Sequence, residues 1–295
     1  MSLGVLNNIA AVYAENNLNS TQASLQNTLE QLSSGSRINS GADDAAGLSI
    51  ADGLGAASAA LTQSADNATQ GVGLLQVADG ALSQVTNLLN RAVTLATEAS
   101  NGTLSTSQDA AANQEFQSIL AEINNIGSTT TFNGNKVFSG TAVTVYSGDA
   151  TTTGGATDAL TIADLTSASV GDVGGTISSA GTAISYTVGT GKDLSADVLT
   201  SATAAQTALT DVNTAITDVA AQRGYVGSQI NTLNAISNVD STEQENVLSA
   251  QNSIQATDYG QATSNLSKYE ILSQTGVSAL AQANSVEQEV TKLLQ

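Results

Sequence analysis

Apolar residues along this chain recur in alternating steps of four and three. From Ile50 the series runs Ile50, Leu54, Ala57, Leu61, Ser64, Ala68, Gly71, Leu75, Ala78, Leu82, Val85, Leu89, Ala92, Ala96 and Ala99. That is a heptad a/d seam, and it predicts a helix about 75 Å long at 1.5 Å per residue. "SNGTLSTSQ" (100–108) interrupts it with turn residues. A second helix is predicted on Ala112, Phe116, Ile119, Ile123 and Ile126, with Gly127 where a C-terminal cap belongs. Residues 129–146, "TTTFNGNKVFSGTAVTVY", turn β-branched and aromatic, and Asn133-Gly134 is a strong two-residue hairpin turn. Residues 147–197 are mostly Gly, Ser, Thr, Ala and Asp with short strand-like pieces such as "AISYTV" (183–188), which predicts a small β-rich or irregular segment. Helical spacing returns on Val198, Ala202, Ala205, Leu209, Val212, Ile216, Val219, Arg223, Val226, Ile230 and Leu233. "SNVDS" (237–241) disturbs that phase, and a last stretch carries Ala262, Tyr269, Leu272, Gly276, Ala279, Ala283, Val286, Val290 and Leu293. Near the N-terminus, Leu18, Leu25 and Leu32 stand seven apart, with Ile9 and Leu29 beside them.

The predicted order is helix, long helix, helix, β, long helix, helix. The fold class is therefore mainly α: a long antiparallel helical bundle or coiled coil with a β-hairpin and a small β-rich or irregular outer segment. Short connections make neighbouring helices antiparallel. The two outer helical segments then meet each other, and a lone helix pair cannot bury an apolar face.

Charge sharpens this reading. The protein has 295 residues, 7 Lys+Arg and 26 Asp+Glu, for a net charge of −19. Yet residues 1–40 carry only Glu15, Glu30 and Arg37, and residues 256–295 only Asp258, Glu270, Glu287, Glu289, Lys268 and Lys292. Both ends are low in charge and rich in Leu, Ile, Val and Ala, as surfaces meant for burial are. The net charge argues against nucleic acid and anionic membrane as partners. No run of about 18 apolar residues is present, so no transmembrane helix is expected. "MSLGVLNNIAAVYAENN" lacks a basic n-region and is not read as a secretory signal peptide.

Candidate chemistry is thin. The sequence has no His, Cys, Pro or Trp, so the usual general base and the commonest metal ligands are missing. Neither a cofactor nor an enzymatic activity is expected. The adjacent acids of "SGADDAAGL" (40–48) invite a catalytic or metal reading, but no third ligand stands near them in sequence. Ser40 followed three residues later by Asp43 is close to a capping box, and Asp43 and Asp44 are placed in the first turn of a helix, where the dipole favours negative charge. The stretch reads as the joint before the bundle helix.

Several of these stretches together resemble bacterial flagellin. "LSSGSRINSGADDAAGLSIAD" (32–52) looks like the family's N-terminal signature, and "VLSAQNSIQATDYGQATSNLSKYEILSQTGVSALAQANSVEQEVTKLL" (247–294) is similar to its C-terminal region at most positions. "TFNGNKVF" (131–138) resembles its hairpin; "LLNRAVTLATEAS" (88–100) and "SILAEINNIG" (118–127) resemble bundle helices. In the related hook–filament junction protein the Asp-Asp stretch usually continues with Pro; here Ala45-Ala46-Gly47 follows.

The resemblance implies a structural subunit that self-assembles into the extracellular flagellar filament for motility. The alternatives are the junction protein and a non-polymerising coiled-coil scaffold. It implies an inner coiled-coil domain of residues 1–42 with 256–295, a helical bundle domain with the hairpin of residues 43–146 with 198–255, and an outer variable segment of 147–197. Assembly would fall to Ile9, Leu18, Leu25, Leu32, Leu266, Tyr269, Leu272, Val286, Val290 and Leu293. It also implies export by a type III apparatus without a cleaved signal peptide, an export chaperone, and contact with filament cap and hook-junction proteins. Arg91, Leu95 and Glu122 match positions that resemble the contact surface for the flagellin-recognising Toll-like receptor. Taken alone, Arg91 is also a surface helix charge and Leu95 a part-core residue. Thr94 departs from the acid that many recognised flagellins carry there.

Overall fold

The heptad seam that opens at Ile50 becomes a single helix of 56 residues, α2 (Ala45–Ser100). In a computed structural model, residues 8–148, 157–172, 175–179, 182–186 and 191–293 are described. The helices are α1 (Ile9–Ser34), α2, α3 (Thr106–Thr129), α4 (Ala202–Gln255) and α5 (Tyr259–Leu293). Between α3 and α4 lie three antiparallel strand pairs: β1 (Thr131–Phe132) with β2 (Asn135–Lys136), β3 (Ala142–Tyr146) with β4 (Thr157–Thr161), and β5 (Gly175–Ser179) with β6 (Thr182–Tyr186). The mainly α fold expected from the spacing is the fold observed. "AISYTV" supplies most of β6; its last two residues lie outside the described residues.

Packing divides the protein into two units, residues 1–56 with 247–295 and residues 57–246. The second unit holds the hydrophobic core. From Ala57 to Ala99 every seam position of α2 is buried. Ser64 on α2 donates to Asp240 on α4, Gly71 faces Leu233, and Asp79 pairs with Arg223, so the two helices run antiparallel in a single register. The buried seam of α4 is Ala205, Ala208, Val212, Ala215, Val219, Gln222, Val226, Gln229 and Leu233. This corrects the predicted seam at alternate positions. Leu209, Ile216 and Ile230 are only partly buried, and Arg223 reaches outward to Asp79 with Nε–Oδ1 2.8 Å and Nη2–Oδ2 3.2 Å. Nor does "SNVDS" disturb the phase, because α4 passes through it and buries Asp240 seven residues after Leu233. Val198 is exposed and precedes α4.

α3 buries Ala112, Phe116, Ile119, Leu120, Ile123 and Gly127. Its start is held by Gln108, whose Oε1 accepts from the Ser105 N–H at 2.8 Å. Gly127 is not a cap: α3 runs on to Thr129, and a Cβ at 127 would collide with the Leu165 carbonyl. The glycine is there to admit the 162–172 segment onto α3, where Ser167 N–H also donates to Asn124 Oδ1 at 2.7 Å. The hairpin turns at Asn133 and Gly134, whose φ values of 50° and 80° are the pair of left-handed residues that a type I′ turn requires.

In the first unit α1 and α5 pair antiparallel. Asn8 Nδ2 donates to Ala283 O at 3.0 Å, and Leu18 packs at Gly276. The connector after α1 is bridged to the connector before α5. Arg37 N–H donates to Gln255 O at 2.7 Å, Thr257 N–H to Gly35 O at 3.0 Å, and Arg37 Nη2 to Ile254 O at 2.8 Å. Ile50 is exposed, so burial on the α2 seam begins after it.

Candidate functional site

The first unit is apolar without having a core. Among the described residues its buried side chains are Thr28, Ile38, Ala51 and Ala262. The residues α1 turns toward α5 are largely small or polar: Ala11, Ala14, Leu18, Thr21, Leu25 and Thr28 occur in steps of three and four and are half-buried or buried. On α5 the corresponding set is Ala262, Leu266, Tyr269, Ser273, Gly276, Leu280 and Ala283. Large side chains lie on the other faces. Ile9, Val12, Tyr13 and Leu29 are exposed on α1, and Tyr259, Ile271, Leu272, Val277 and Val286 on α5. Tyr13 is 68% exposed and Ile271 61%. Ile9, Val12 and Tyr13, with Asn8 and Asn16, line a groove along the start of α1. Exposed apolar residues grouped in this way make the first unit the candidate for an interaction surface.

The ten residues expected to serve assembly therefore separate. Leu18, Leu25, Leu32, Leu266 and Tyr269 are half-buried in the first unit, while Ile9, Leu272 and Val286 are exposed. Val290 and Leu293 belong to α5, but their side groups lie outside the described residues. Reading the strongest heptad missed Val12, Tyr13, Ile271 and Val277. A second apolar stripe at spacing three and four, Ile9-Val12-Tyr13, is the signal that marks them.

The acid pair sits just before α2, not in its first turn. Asp44 precedes Ala45 and caps the helix, its Oδ1 accepting from the Gly47 N–H at 2.8 Å. Asp43 folds back instead: Oδ2 accepts from Asn39 N–H at 3.1 Å, Ser40 N–H at 2.9 Å and the Ser40 hydroxyl at 3.1 Å. The Asn39 and Ser40 backbone donors hold the Asp43 carboxyl below its ordinary range. Among the described residues no group of three or more His, Cys, Asp or Glu could hold a metal ion, and no helix is long and apolar enough to cross a membrane.

The three receptor candidates do not share a surface. Leu95 is 3% exposed and belongs to the core of the second unit, which corrects its reading as a contact residue. Its heptad neighbours Ala92 and Ala96 pull that side of α2 inward. Arg91 is exposed and bonded to Glu115 (Nε–Oε1 2.7 Å), which raises the guanidinium further and lowers the carboxylate. Glu122 is exposed and accepts from Asn125 Nδ2 at 3.4 Å.

Comparison with known proteins covers both ends of the sequence. Residues 5–143 match the bacterial flagellin N-terminal helical region, and residues 209–294 the bacterial flagellin C-terminal helical region. A flagellin of Halalkalibacterium halodurans is 33% identical over 288 residues, spanning 97% of this protein and 98% of its own length. A flagellin of Listeria monocytogenes is 32% identical over 296 residues, spanning 97% and 98%. The crystal structure of Bacillus cereus flagellin aligns with 59% of this protein and 88% of its own length, at 27% identity and a TM-score of 0.46.

Proposed function

The chain belongs to the bacterial flagellin family of structural filament subunits, and from that premise we propose that its first unit is the polymerisation surface, with no catalytic role elsewhere in the molecule. Likeness to flagellins over nearly the full length favours the filament subunit over the hook–filament junction protein and over a coiled-coil scaffold. The observation that carries the proposal is the exposed set Ile9, Val12, Tyr13, Ile271, Leu272 and Val277 on a helix pair with almost no core of its own. Burying one such residue is worth about 1.5–3 kcal/mol, so several per copy offset the ordering of the paired helices. A contact that does not close on itself, repeated by one rotation and rise, builds an open helix.

Residues 1–42 with 256–295 form the inner layer of the polymer in this reading, 43–146 with 198–255 the next, and 147–197 the outer face. The low charge of both ends suits passage through a type III export apparatus and capture by an export chaperone, and the same surface meets the cap and hook-junction proteins at the filament's two ends. Arg91 and Glu122 remain the residues through which a flagellin-recognising Toll-like receptor reads the second unit; Arg91→Ala in a reporter-cell assay tests that. The main test is Val12→Asp with Ile271→Asp in the full-length protein. The variant keeps the monomer's helical circular dichroism and fails to extend filament seeds. Seeded growth at the unmodified rate overturns the proposal.

A further inference from the structure

Two Asn-Gly sequences occur in the protein, Asn101-Gly102 and Asn133-Gly134, and they sit in different backbone conformations. In such a pair the glycine nitrogen can attack the carboxamide carbon of the asparagine. The new C–N bond closes a five-membered succinimide, the original carboxamide C–N bond breaks, and ammonia leaves carrying the proton that the glycine amide gives up. Water then opens the ring to aspartate or to the β-linked isoaspartate. Glycine favours the step because no Cβ shields its nitrogen.

We propose that Asn101 is a self-modifying site, which water alone converts to aspartate and isoaspartate in the folded protein, while Asn133 is held back by its turn. Asn101 is exposed and directly follows the last residue of α2. It borders an open polar hollow with Glu98, Thr103 and Gln108, so water reaches it. The nucleophile is free: Gly102 N–H donates to no acceptor among the described residues. The leaving nitrogen, Asn101 Nδ2, lies 3.1 Å from the Thr103 hydroxyl oxygen. Asn101 has a negative φ, since Asn133 is the only described non-glycine residue with a positive one. Ring closure needs ψ to turn Gly102 N toward Cβ and χ1 to turn the carboxamide toward that nitrogen, and Asn101 is exposed where both turn.

Asn133 is exposed too, and what sets it apart is the turn that holds its backbone. Its φ of 50° is left-handed, and the ψ of about +47° that accompanies it points the next nitrogen away from Cβ. The turn is closed by the Phe132–Asn135 pair and by Val137 N–H donating to Thr130 O at 3.1 Å, with Val137 and Phe138 buried behind it. Asn133 reacts only after that hairpin opens locally. Among the Asn-Ser pairs, Asn39-Ser40 is blocked directly, because the Ser40 N–H is bonded to Asp43 at 2.9 Å.

Conversion has a local consequence. It puts a carboxylate at the C-terminal end of α2, where the helix dipole disfavours negative charge. The site is three residues from Glu98, whose backbone oxygen accepts the Asn101 N–H at 3.3 Å. Isoaspartate also inserts an extra carbon into the backbone where α2 turns toward α3.

The test incubates the folded, full-length protein in mildly alkaline buffer and follows both peptides by mass spectrometry, with an isoaspartyl methyltransferase to read the β-linkage. The Asn101 peptide converts about ten-fold faster than the Asn133 peptide, equivalent to about 1.4 kcal/mol of barrier. In denaturant the two rates converge. Asn101→Gln, with its fold checked by circular dichroism, loses the isoaspartyl signal. Equal rates at Asn101 and Asn133 in the folded protein overturn the inference. So does conversion at Asn101 no faster than at Asn39, or a signal that survives Asn101→Gln.

Discussion

Gln222 is 2% exposed at the centre of the α4 seam, and neither atom of its carboxamide has a hydrogen-bond partner among the described residues. Around it are Thr161, Ile162, Ala163, Asp172, Tyr225 and Val226. One heptad on, Gln229 is equally buried with its Nε2 unpartnered. A buried amide left unmade costs about 1–3 kcal/mol. Methionine has the same unbranched length and no amide, so Gln222→Met relieves that cost without leaving a void. The expected gain is about 1–3 kcal/mol, which at about 2–4 °C per kcal/mol for a domain of this size raises the midpoint by several degrees. Adding Gln229→Met, about 10 Å further along the helix, contributes nearly independently. Gln222→Glu does the reverse, since it buries a charge with no cation opposite, and costs several kcal/mol at neutral pH. Urea titration followed by far-ultraviolet circular dichroism measures this, with an unchanged slope confirming that only stability moved. A Gln222→Met protein less stable than the parent by more than about 1 kcal/mol would refute the reasoning, because it would mean the amide is satisfied and its hydrogen bonds matter.

Three further outcomes follow from particular contacts. Gly127→Ala drives a methyl into the Leu165 backbone and should destabilise the second unit by about 1–3 kcal/mol, seen as a lower thermal midpoint. Asp44→Ala removes the α2 cap and should cost about 0.5–2 kcal/mol, with amide exchange accelerating at Gly47 first. Asp197 is pushed up to about 6, first by burial and then by Asp211, from an ordinary value of 3.8. The folded state thus binds its proton more tightly than the unfolded state does, so this group's contribution falls as pH rises from 3.8 to about 6. Asp197→Asn should flatten that slope and leave stability above pH 6 no lower than in the parent.

How far the sequence reveals the fold depends on how many neighbours a helix has. Every heptad position of α2 from Ala57 to Ala99 is buried, so its spacing marks the seam, while Leu74 and Leu95 are buried beside it. α4 is covered over a wider arc. Its centre is Ala208, Ala215, Gln222 and Gln229, and its flank is Leu209, Ile216 and Ile230. Hydrophobicity marks the arc but not its middle, because small and polar residues occupy that middle. Choosing the larger residue at each turn moves the seam by one position and makes Arg223 look interior. Gly127 fails for a similar reason. A glycine near a helix end has two uses, an αL cap or room for a passing backbone, and only the course of residues 162–172 decides between them.

The surface of the first unit is the harder inference, because its sequence contains more apolar residues than its own helices can use. Leu18, Leu25 and Leu266 satisfy the heptad and are half-buried within the unit. Ile9, Val12, Tyr13, Ile271 and Val277 satisfy a second stripe and are exposed. Both stripes have helical period, so periodicity cannot say which one is internal. The small and hydroxylic residues distinguish them: Ala11, Ala14, Thr21 and Thr28 on α1 and Ser273 and Gly276 on α5 let two backbones approach closely, which an internal pair held by only two helices needs. The bulky stripe is left for partners that supply a deeper apolar surround. In the full-length protein, Leu at Ala14 and Thr21 should therefore wedge the helix pair apart and speed its hydrogen exchange, whereas Ser at Val12 and Ile271 should leave that exchange unchanged while stopping filament growth. Growth at the parental rate would show that the stripes have been assigned the wrong way round.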